Sequence, residues 1–384
     1  MIGSGAVKKT PSSVSMQLTS ATYALDQIHQ ADCIEAMAKL PEKSIDMIFA
    51  DPPYNLQLQG ELRRPDDSQV DGVTEEWDQF SSFQAYDDFT RSWLKVCRRL
   101  LKDEGTIWVI GSYHNIFRVG FIMMDLGFWI LNDVIWHKTN PMPNFRGTRF
   151  QSATETMIWA KKSISQKKYY FNYRAMKNLN DDKQMQNVWH IPICQGGERQ
   201  RINGRKAHPT QKPEQLLYRV IAAATKPGHI ILDPFMGTGT TAVVAKKMAR
   251  RFIGFEQDAH YVEIARQRLS SVRIDPASIE LLETRNRRDQ PRVKFGSLIE
   301  SGLLSIGQTL YCQNGRYEAS VKADGTLLTS EGTLSIHRAA AKLQGKNSSN
   351  GWDFWHIRHI DGNLYSIDQL RQSYLARQLT LPGM

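Results

Sequence analysis

The pattern of apolar residues calls for an α/β fold, a mostly parallel sheet with helices on both faces, and three observations support it. Short apolar runs of strand length occur at residues 45–50, 106–110, 134–136, 155–160, 229–232 and 252–255. Amphipathic stretches at 83–101, 115–125, 213–224, 240–249 and 259–272 fall between them. Their alternation supplies the long crossovers that parallel strands need, and strands apolar on both sides must be covered on both faces. In such sheets ligands bind beyond the C-terminal ends of the strands.

Taken in order, residues 1–20 are rich in Ser, Thr and Gly and are expected to be disordered. A catalytic domain is expected over 21–270. Its run 45–50 ends in Asp51-Pro52-Pro53-Tyr54, and a polar, turn-rich segment at 57–80 with Arg63-Arg64 follows as a mobile loop. A polar, Arg-rich linker is expected over 271–291, and short β-like runs at 309–312, 317–321, 326–328 and 352–357 mark a small α+β domain over 292–384.

Charge is distributed unevenly. Residues 137–212 hold 15 Lys and Arg against 4 Asp and Glu, a local net of +11, while the whole chain of 384 residues carries +10. Confinement of the excess to one internal window favours a polyanion site over a merely solvated surface. Aromatic residues interleave with the charge there; such alternation more often marks buried strand than a base-stacking platform. The four cysteines (Cys33, Cys97, Cys194, Cys312) lie far apart and form no Cys-x-x-Cys pair, which suits a reduced cytoplasmic protein without a metal site. Neither a membrane-spanning stretch nor a secretion signal is legible.

Two motifs carry chemistry. Asp51-Pro52-Pro53-Tyr54 places a carboxylate, two rigidly held carbonyls and an aromatic face at a strand end. Such a set suits a flat heterocycle with an exocyclic amino group: Asp51 and a carbonyl accept the amino hydrogens while Tyr54 stacks on the ring. The second motif is Asp233-Pro234-Phe235-Met236-Gly237-Thr238-Gly239-Thr240 after run 229–232. Its glycines permit a sharp turn close to a ligand. It lacks the Gly-Lys-Ser/Thr of a phosphate loop, and Asp233 would repel phosphate and attract an ammonium group. Glu256 ends the next strand, 23 residues on, where ribose hydroxyls are usually held. An ammonium at one end and a ribose at the other describe S-adenosylmethionine.

These motifs, together with His208-Pro209-Thr210-Gln211-Lys212-Pro213, resemble those of DNA amino-methyltransferases. With the base motif ahead of the cofactor motif, the order is similar to that of the family's beta class, whose sheet is permuted. Asp32-Cys33, Asn55-Leu56-Gln57-Leu58, the segment from Trp108 to Asn115 and Asn140-Pro141-Met142-Pro143-Asn144-Phe145 extend the resemblance to the cell-cycle-regulated adenine methyltransferases. The tail resembles the small domain appended to restriction-associated adenine methylases, with Ser301-Gly302-Leu303-Leu304 and Gly351-Trp352-Asp353-Phe354-Trp355.

The resemblance implies methyl transfer from S-adenosylmethionine, without a metal, to the N6 amino group of an adenine flipped from duplex DNA. The site would be GANTC, and the enzyme an orphan tied to the cell cycle. Alternatives are the modification partner of a restriction nuclease and methylation of cytosine N4. Asp51, Pro52, Pro53 and Tyr54 would form the catalytic set. The cofactor would lie against Asp32, Cys33, Asp51, His208, Thr210, Lys212, Asp233, Pro234, Phe235, Gly237, Thr238, Gly239, Thr240 and Glu256. Arg63, Arg64, Asn144, Arg146, Arg149, Lys167, Lys168, Arg199, Arg201, Arg205 and Lys206 would meet DNA. The resemblance further implies a homodimer in a bacterial cytoplasm, associated with the nucleoid and away from any membrane. Cys33 as a packed small residue and His208 as a structural hydrogen-bonding group are the plainer readings of those two positions.

Overall fold

A computed structural model describes residues 23–56, 78–144, 147–202, 205–208, 210–274, 292–359 and 362–380. Segment 1–20, all of loop 57–80 except 78–80, and most of the 271–291 linker lie outside these residues. The chain divides into two compact units with the boundary between Asn286 and Arg287.

The first unit is built on a sheet of eight strands among the described residues. In chain order these are β1 (Gln27–Gln30), β2 (Ile45–Ala50), β3 (Leu101–Gly111), β4 (Trp129–Lys138), β5 (Thr154–Lys161), β6 (Val188–Ile191), β9 (Ile230–Asp233) and β10 (Arg251–Glu256). A separate two-stranded hairpin supplies β7 (Arg201–Ile202) and β8 (Arg205–Lys206). The spatial order in the large sheet is β1-β10-β9-β2-β3-β5-β4-β6. Five of its seven pairings are parallel; only β5 runs against its neighbours β3 and β4.

Residues of β2 alternate between two cores, as a sheet covered on both faces requires. Met47 and Phe49 join a cluster with Leu216 and Val220 of α5 (Glu214–Ala224) and Ala242 of α6 (Thr240–Lys247). Ile48 and Ala50 face the opposite cluster, with Met37 of α1 (Cys33–Ala38), Trp93 and Leu94 of α2 (Phe83–Leu100) and Val119 of α3 (Ile116–Asp125). Burying each of the Leu, Ile, Val, Met and Phe side chains among them stabilises the fold by about 1.5–3 kcal/mol.

Helix starts are set by short polar side chains. Asp32 Oδ1 accepts from Ile34 and Glu35 N–H at the start of α1, and Asp258 does the same for α7 (Ala259–Ser270). Ser82 caps α2 and Asn172 caps the short α4 (Tyr173–Asn178).

In the second unit β11 (Thr309–Cys312), β12 (Glu318–Val321), β13 (Leu327–Thr329), β14 (Gly332–Leu334), β15 (Trp355–Arg358) and β16 (Leu364–Ser366) form an antiparallel sheet. Helices α8 (Phe295–Glu300), α9 (Ile336–Leu343), α10 (Gly351–Phe354) and α11 (Ile367–Thr380) accompany it. The run 352–357, expected as one strand, instead begins as α10. Asn350 caps that helix by accepting from Trp352 N–H, and Gly351 packs closer to the Ile336 backbone than a Cβ would permit. The buried Trp355 anchors this core and donates Nε1–H to the Ile336 carbonyl, 3.1 Å away.

Candidate active site

The adjacent parallel strands β2 and β9 end side by side, Ile48 in register with Leu232, so Asp51 and Asp233 emerge at the same end of the sheet. Glu256 ends β10 on the far side of β9. Beyond these ends lies a cleft of about 710 Å³. Asp51, Pro52, Pro53 and Tyr54 all line it, as do every one of the expected cofactor residues except Gly239. Gly239 serves a different end: at φ 82° it starts α6, and a Cβ there would stand 2.9 Å from Ala265 Cβ. Between the lining residues Thr238 and Thr240, this position needs a glycine for helix packing.

The Asp-Pro-Pro-Tyr turn is held from behind. Asp78 accepts from the backbone N–H groups of Tyr54, Asn55 and Leu56 at 2.6, 2.9 and 2.9 Å. Burial nevertheless raises the Asp78 pKa above its ordinary value. The Tyr86 hydroxyl donates to the Pro53 carbonyl at 3.0 Å, and Asn115 Nδ2 reaches Tyr86 Oη at 3.1 Å.

In front of the turn is a buried charge network. Lys212 Nζ lies 2.7 Å from Asp51 Oδ2, 3.8 Å from Glu155 Oε2 and 5.2 Å from the centre of the Tyr54 ring. Glu155 accepts from the Tyr54 hydroxyl at 2.9 Å and pairs with Lys138 at 2.7 Å. Burial would raise Glu155, but the Lys212 and Lys138 ammonium groups outweigh it and hold the carboxylate below its ordinary range. Burial wins at Asp51, whose pKa is raised although Lys212 opposes the shift. Tyr54, buried beside two carboxylates, is pushed well above its ordinary value and keeps its proton. The Tyr54 hydroxyl lies close enough to Asp51 for each to shift the other, but its single proton points at Glu155, and Asp51 Oδ1, itself buried, has no partner of hydrogen-bonding geometry among the described residues.

The cofactor half of the cleft is acidic. Asp233 is buried, accepts from Phe235 N–H at 2.9 Å, and has its pKa pushed up to about 7 by burial. A carboxylate in that condition gains from a cationic partner. Glu256 orients its oxygens by accepting from Gly237 N–H at 2.8 Å and Asp258 N–H at 2.9 Å. Phe235 packs edge-on against Trp93. Burial pushes His208 down to about 4, and its Nδ1 lies 3.2 Å from Thr210 N, so it is a neutral, structural imidazole. Burial likewise pushes the Cys33 thiol up to about 12, in keeping with a packed, unreactive residue. Among the described residues no group of three His, Cys, Asp or Glu side chains could hold a metal ion.

Those expected DNA contacts that fall among the described residues do not gather on one surface. Arg63, Arg64 and Arg146 lie outside the described residues. Asn144 Oδ1 accepts from Gly147 N–H within the connection from β4 to β5, which lies at the cleft end of the sheet. Arg149, in the same connection, is exposed and donates to the Tyr113 hydroxyl at 2.7 Å. Arg201 and Lys206 sit on the hairpin with Arg205, just ahead of His208 in the chain.

Three of these residues have other surroundings than the cleft edge. Arg199 spends its guanidinium on backbone, donating to the Cys194 carbonyl twice and to the His208 carbonyl at 3.1 Å, so it braces a loop. Lys167 and Lys168 lie at the opposite end of the sheet, because the antiparallel β5 carries the chain away from the cleft by about 25 Å. Gln166 fixes that segment, donating to the carbonyls of Gly105 and Lys168. Tyr169 and Phe171 pack on Trp159, the covering role that alternating aromatics more often have.

Glu155, Lys138 and Asp78 escaped the sequence reading. Glu155 stands at the head of the apolar run 155–160, and Asp78 near the end of the polar segment 57–80. The one available signal was a pair of acids in otherwise apolar or turn-rich surroundings.

A permuted α/β sheet whose cleft joins an Asp-Pro-Pro-Tyr turn to an acidic Gly-rich turn defines a class of methyl-transferring enzymes that act on amino groups. Residues 45–267 match the DNA methylase family that modifies N6 and N4 amino groups, and the chain belongs to that family: it is an S-adenosylmethionine-dependent DNA methyltransferase. Residues 278–380 match the Restriction Enzyme Adenine Methylase Associated domain. The chain is 48% identical over 351 residues to the type II methyltransferase M.HinfI of Haemophilus influenzae, covering 91% of this chain and 97% of that protein. It is 45% identical over 241 residues to the type II methyltransferase M2.DpnII of Streptococcus pneumoniae, covering 63% and 88%. The solved PvuII DNA methyltransferase (cytosine-N4-specific) shares the fold at a TM-score of 0.50 and 24% identity, covering 66% of this chain and 90% of its own.

Proposed function

We propose that the enzyme methylates the N6 amino group of an adenine flipped out of duplex DNA. The observation that carries this reading is the buried, unfilled acceptor Asp51 Oδ1 beside the Tyr54 ring. An exocyclic amine has two hydrogens to give, and Asp51 Oδ1 with the Pro52 carbonyl can take both while Tyr54 stacks on the ring. Accepting both hydrogens lets the nitrogen pyramidalise and frees its lone pair for in-line attack. Lys212 keeps Asp51 ionised from the Oδ2 side, and Glu155 holds the Tyr54 ring by its hydroxyl. The product nitrogen, cationic for a moment, then gives up one proton, for which Asp51 is the acceptor within reach. Flipping the base costs roughly a few kcal/mol, offset by stacking and phosphate contacts.

Asp233 and Glu256 fit S-adenosylmethionine through the buried, uncompensated carboxylate at one end and the oriented carboxylate at the other. Asp32, Cys33, Phe235, Gly237, Thr238, Thr240, His208 and Thr210 would complete its cradle. Bound there, the cofactor supplies an electrophilic methyl group on a positively charged sulfur. Acceleration then comes from positioning and from preorganised charge.

The type II relatives support a modification enzyme acting alongside a restriction nuclease more than an orphan tied to the cell cycle. Both relatives are bacterial, which supports a bacterial cytoplasm. GANTC is the site to try first, on the strength of the Trp108 to Asn115 and Asn140 to Phe145 segments. A homodimer is supported by α3, where Phe117, Phe121 and Met124 are 76, 58 and 58% exposed along one face. The ion pairs Arg118–Asp87 and Arg91–Asp125 supply both charge signs, as a self-complementary contact needs. Digesting methylated duplexes to nucleosides tests the central reading: N6-methyladenine is expected, and N4-methylcytosine would overturn it.

A further inference from the structure

The fold splits the basic window of the sequence between two ends of the sheet, and only one end adjoins the cleft. At the other end Lys161, Lys162, Lys167 and Lys168 come down beside cations from outside the window. There a surface cavity of about 320 Å³ is lined by Lys43, Lys95, Arg98, Arg99 and Lys162, against the single carboxylate Glu42. Methyl transfer uses none of these residues. The span of β3, from Leu101 at this end to Gly111 near the cleft, separates the two sites by on the order of 30 Å.

The cations are positioned without being neutralised. Arg98 Nε donates to the Lys162 carbonyl at 3.0 Å, and Lys162 Nζ donates to the Leu101 carbonyl at 3.0 Å. Arg99 donates to the carbonyls of Met37, Ala38 and Leu40. Carbonyls fix a charged side chain in place but leave its charge intact. Among the described residues, Lys43 is the one lining cation with a carboxylate partner, Asp103 at 2.9 Å, and that pair is exposed. Burial lowers the Lys162 pKa first; Lys43 and Arg98 lower it further while Asp103 and Glu42 act the other way, and the balance is downward. Fixed, converging cations that outnumber the carboxylates around a cavity are what a multiply charged oxyanion needs.

We propose that this cavity is a second phosphate-binding site, filled by phosphodiesters of a DNA segment beyond the one in the cleft. A duplex longer than the recognition site, or a second duplex, would bring such groups within reach. Each phosphate so held releases condensed counterions and adds to the salt dependence of binding.

The test compares the unmodified protein with its Lys43→Glu/Lys95→Glu variant, both positions lining the cavity and both exposed. The slope of log affinity against log salt is measured on a duplex confined to the recognition site and on one several times longer. The expected result is a steeper slope on the longer duplex, reduced in the variant by about one unit per contact removed. On the short duplex, slope and methylation rate should match the unmodified protein. Equal slopes on both duplexes, with inorganic phosphate raising the melting temperature of the unmodified protein only, would assign the same site to a free phosphate. If neither slope nor phosphate response distinguishes the two proteins, there is no second phosphate site.

Discussion

Lys212 and Asp51 form a buried ion pair, Nζ to Oδ2 at 2.7 Å, that leaves the second carboxylate oxygen of Asp51 unfilled. The pair divides the carboxylate between two tasks: one oxygen meets a permanent cation, and the other stays available to an amine. Burial and Glu155 raise the Asp51 pKa while Lys212 lowers it, and the balance is upward. Activity should therefore fall on the acid side with an apparent pKa above the ordinary aspartate value. Lys212→Gln should move that limb to higher pH, by about 1–3 units if a full charge is lost at contact distance. Glu155→Gln should move it to lower pH. Single-turnover rates across pH read both shifts; limbs that stay in place would separate Asp51 from the acid-side loss.

Cofactor affinity should carry a separate pH signature from Asp233, which burial pushes up to about 7. An ammonium group binds the ionised carboxylate, so affinity is full above that value and declines as pH falls through it, by up to about tenfold per unit. Calorimetric titration with S-adenosylmethionine at several pH values should show the decline, and Asp233→Asn should flatten it. Constant affinity from about pH 8 down to about pH 6 would mean that Asp233 is already ionised or does not meet the cofactor.

Asp78 belongs to neither motif, yet it gathers the N–H groups of Tyr54, Asn55 and Leu56. Asp78→Ala should lower kcat by about tenfold to a hundredfold, since small displacements of reacting groups are that costly. Asp78→Asn, which keeps an acceptor oxygen, should recover part of the loss. A variant with unchanged kcat would show that the turn holds its shape without this carboxylate.

Arg199 and Arg149 should respond oppositely to removal. Arg199 spends its guanidinium on backbone carbonyls, so Arg199→Gln should lower the melting temperature and leave the salt slope of DNA binding alone. Arg149 is exposed at the cleft end, and Arg149→Gln should flatten that slope by about one unit with little change in melting temperature. The reverse pattern would exchange their roles.

Much of this was legible in the sequence, and the gaps have identifiable causes. The six expected strands all exist because strands buried on both faces are apolar throughout, whichever way they run, and need no pairing partner to be noticed. Strand β1 was not legible: of Gln27-Ile28-His29-Gln30 only Ile28 is buried, because β1 is the edge strand and pairs with β10 alone. Helix α10 was hidden because its aromatic residues read as strand while a single cap residue, Asn350, decides otherwise. At the site, Asp51, Tyr54, Asp233 and Glu256 could be read because each stands at a strand end beside a turn motif. Glu155 could not, since its place next to Tyr54 depends on β5 running antiparallel to β3, a tertiary choice that local pattern does not record. The basic window misled for the same reason, as one reversed strand sends Lys167 and Lys168 to the far end.

The most direct test is methyl transfer by the Asp51→Ala variant. With tritiated S-adenosylmethionine and a duplex carrying the recognition site, measured in a single turnover, transfer to adenine should be lost. Affinity for the duplex should remain within a few-fold of the unmodified protein. Transfer at an unchanged rate would contradict the role assigned to Asp51, and with it the proposed use of the Asp-Pro-Pro-Tyr turn.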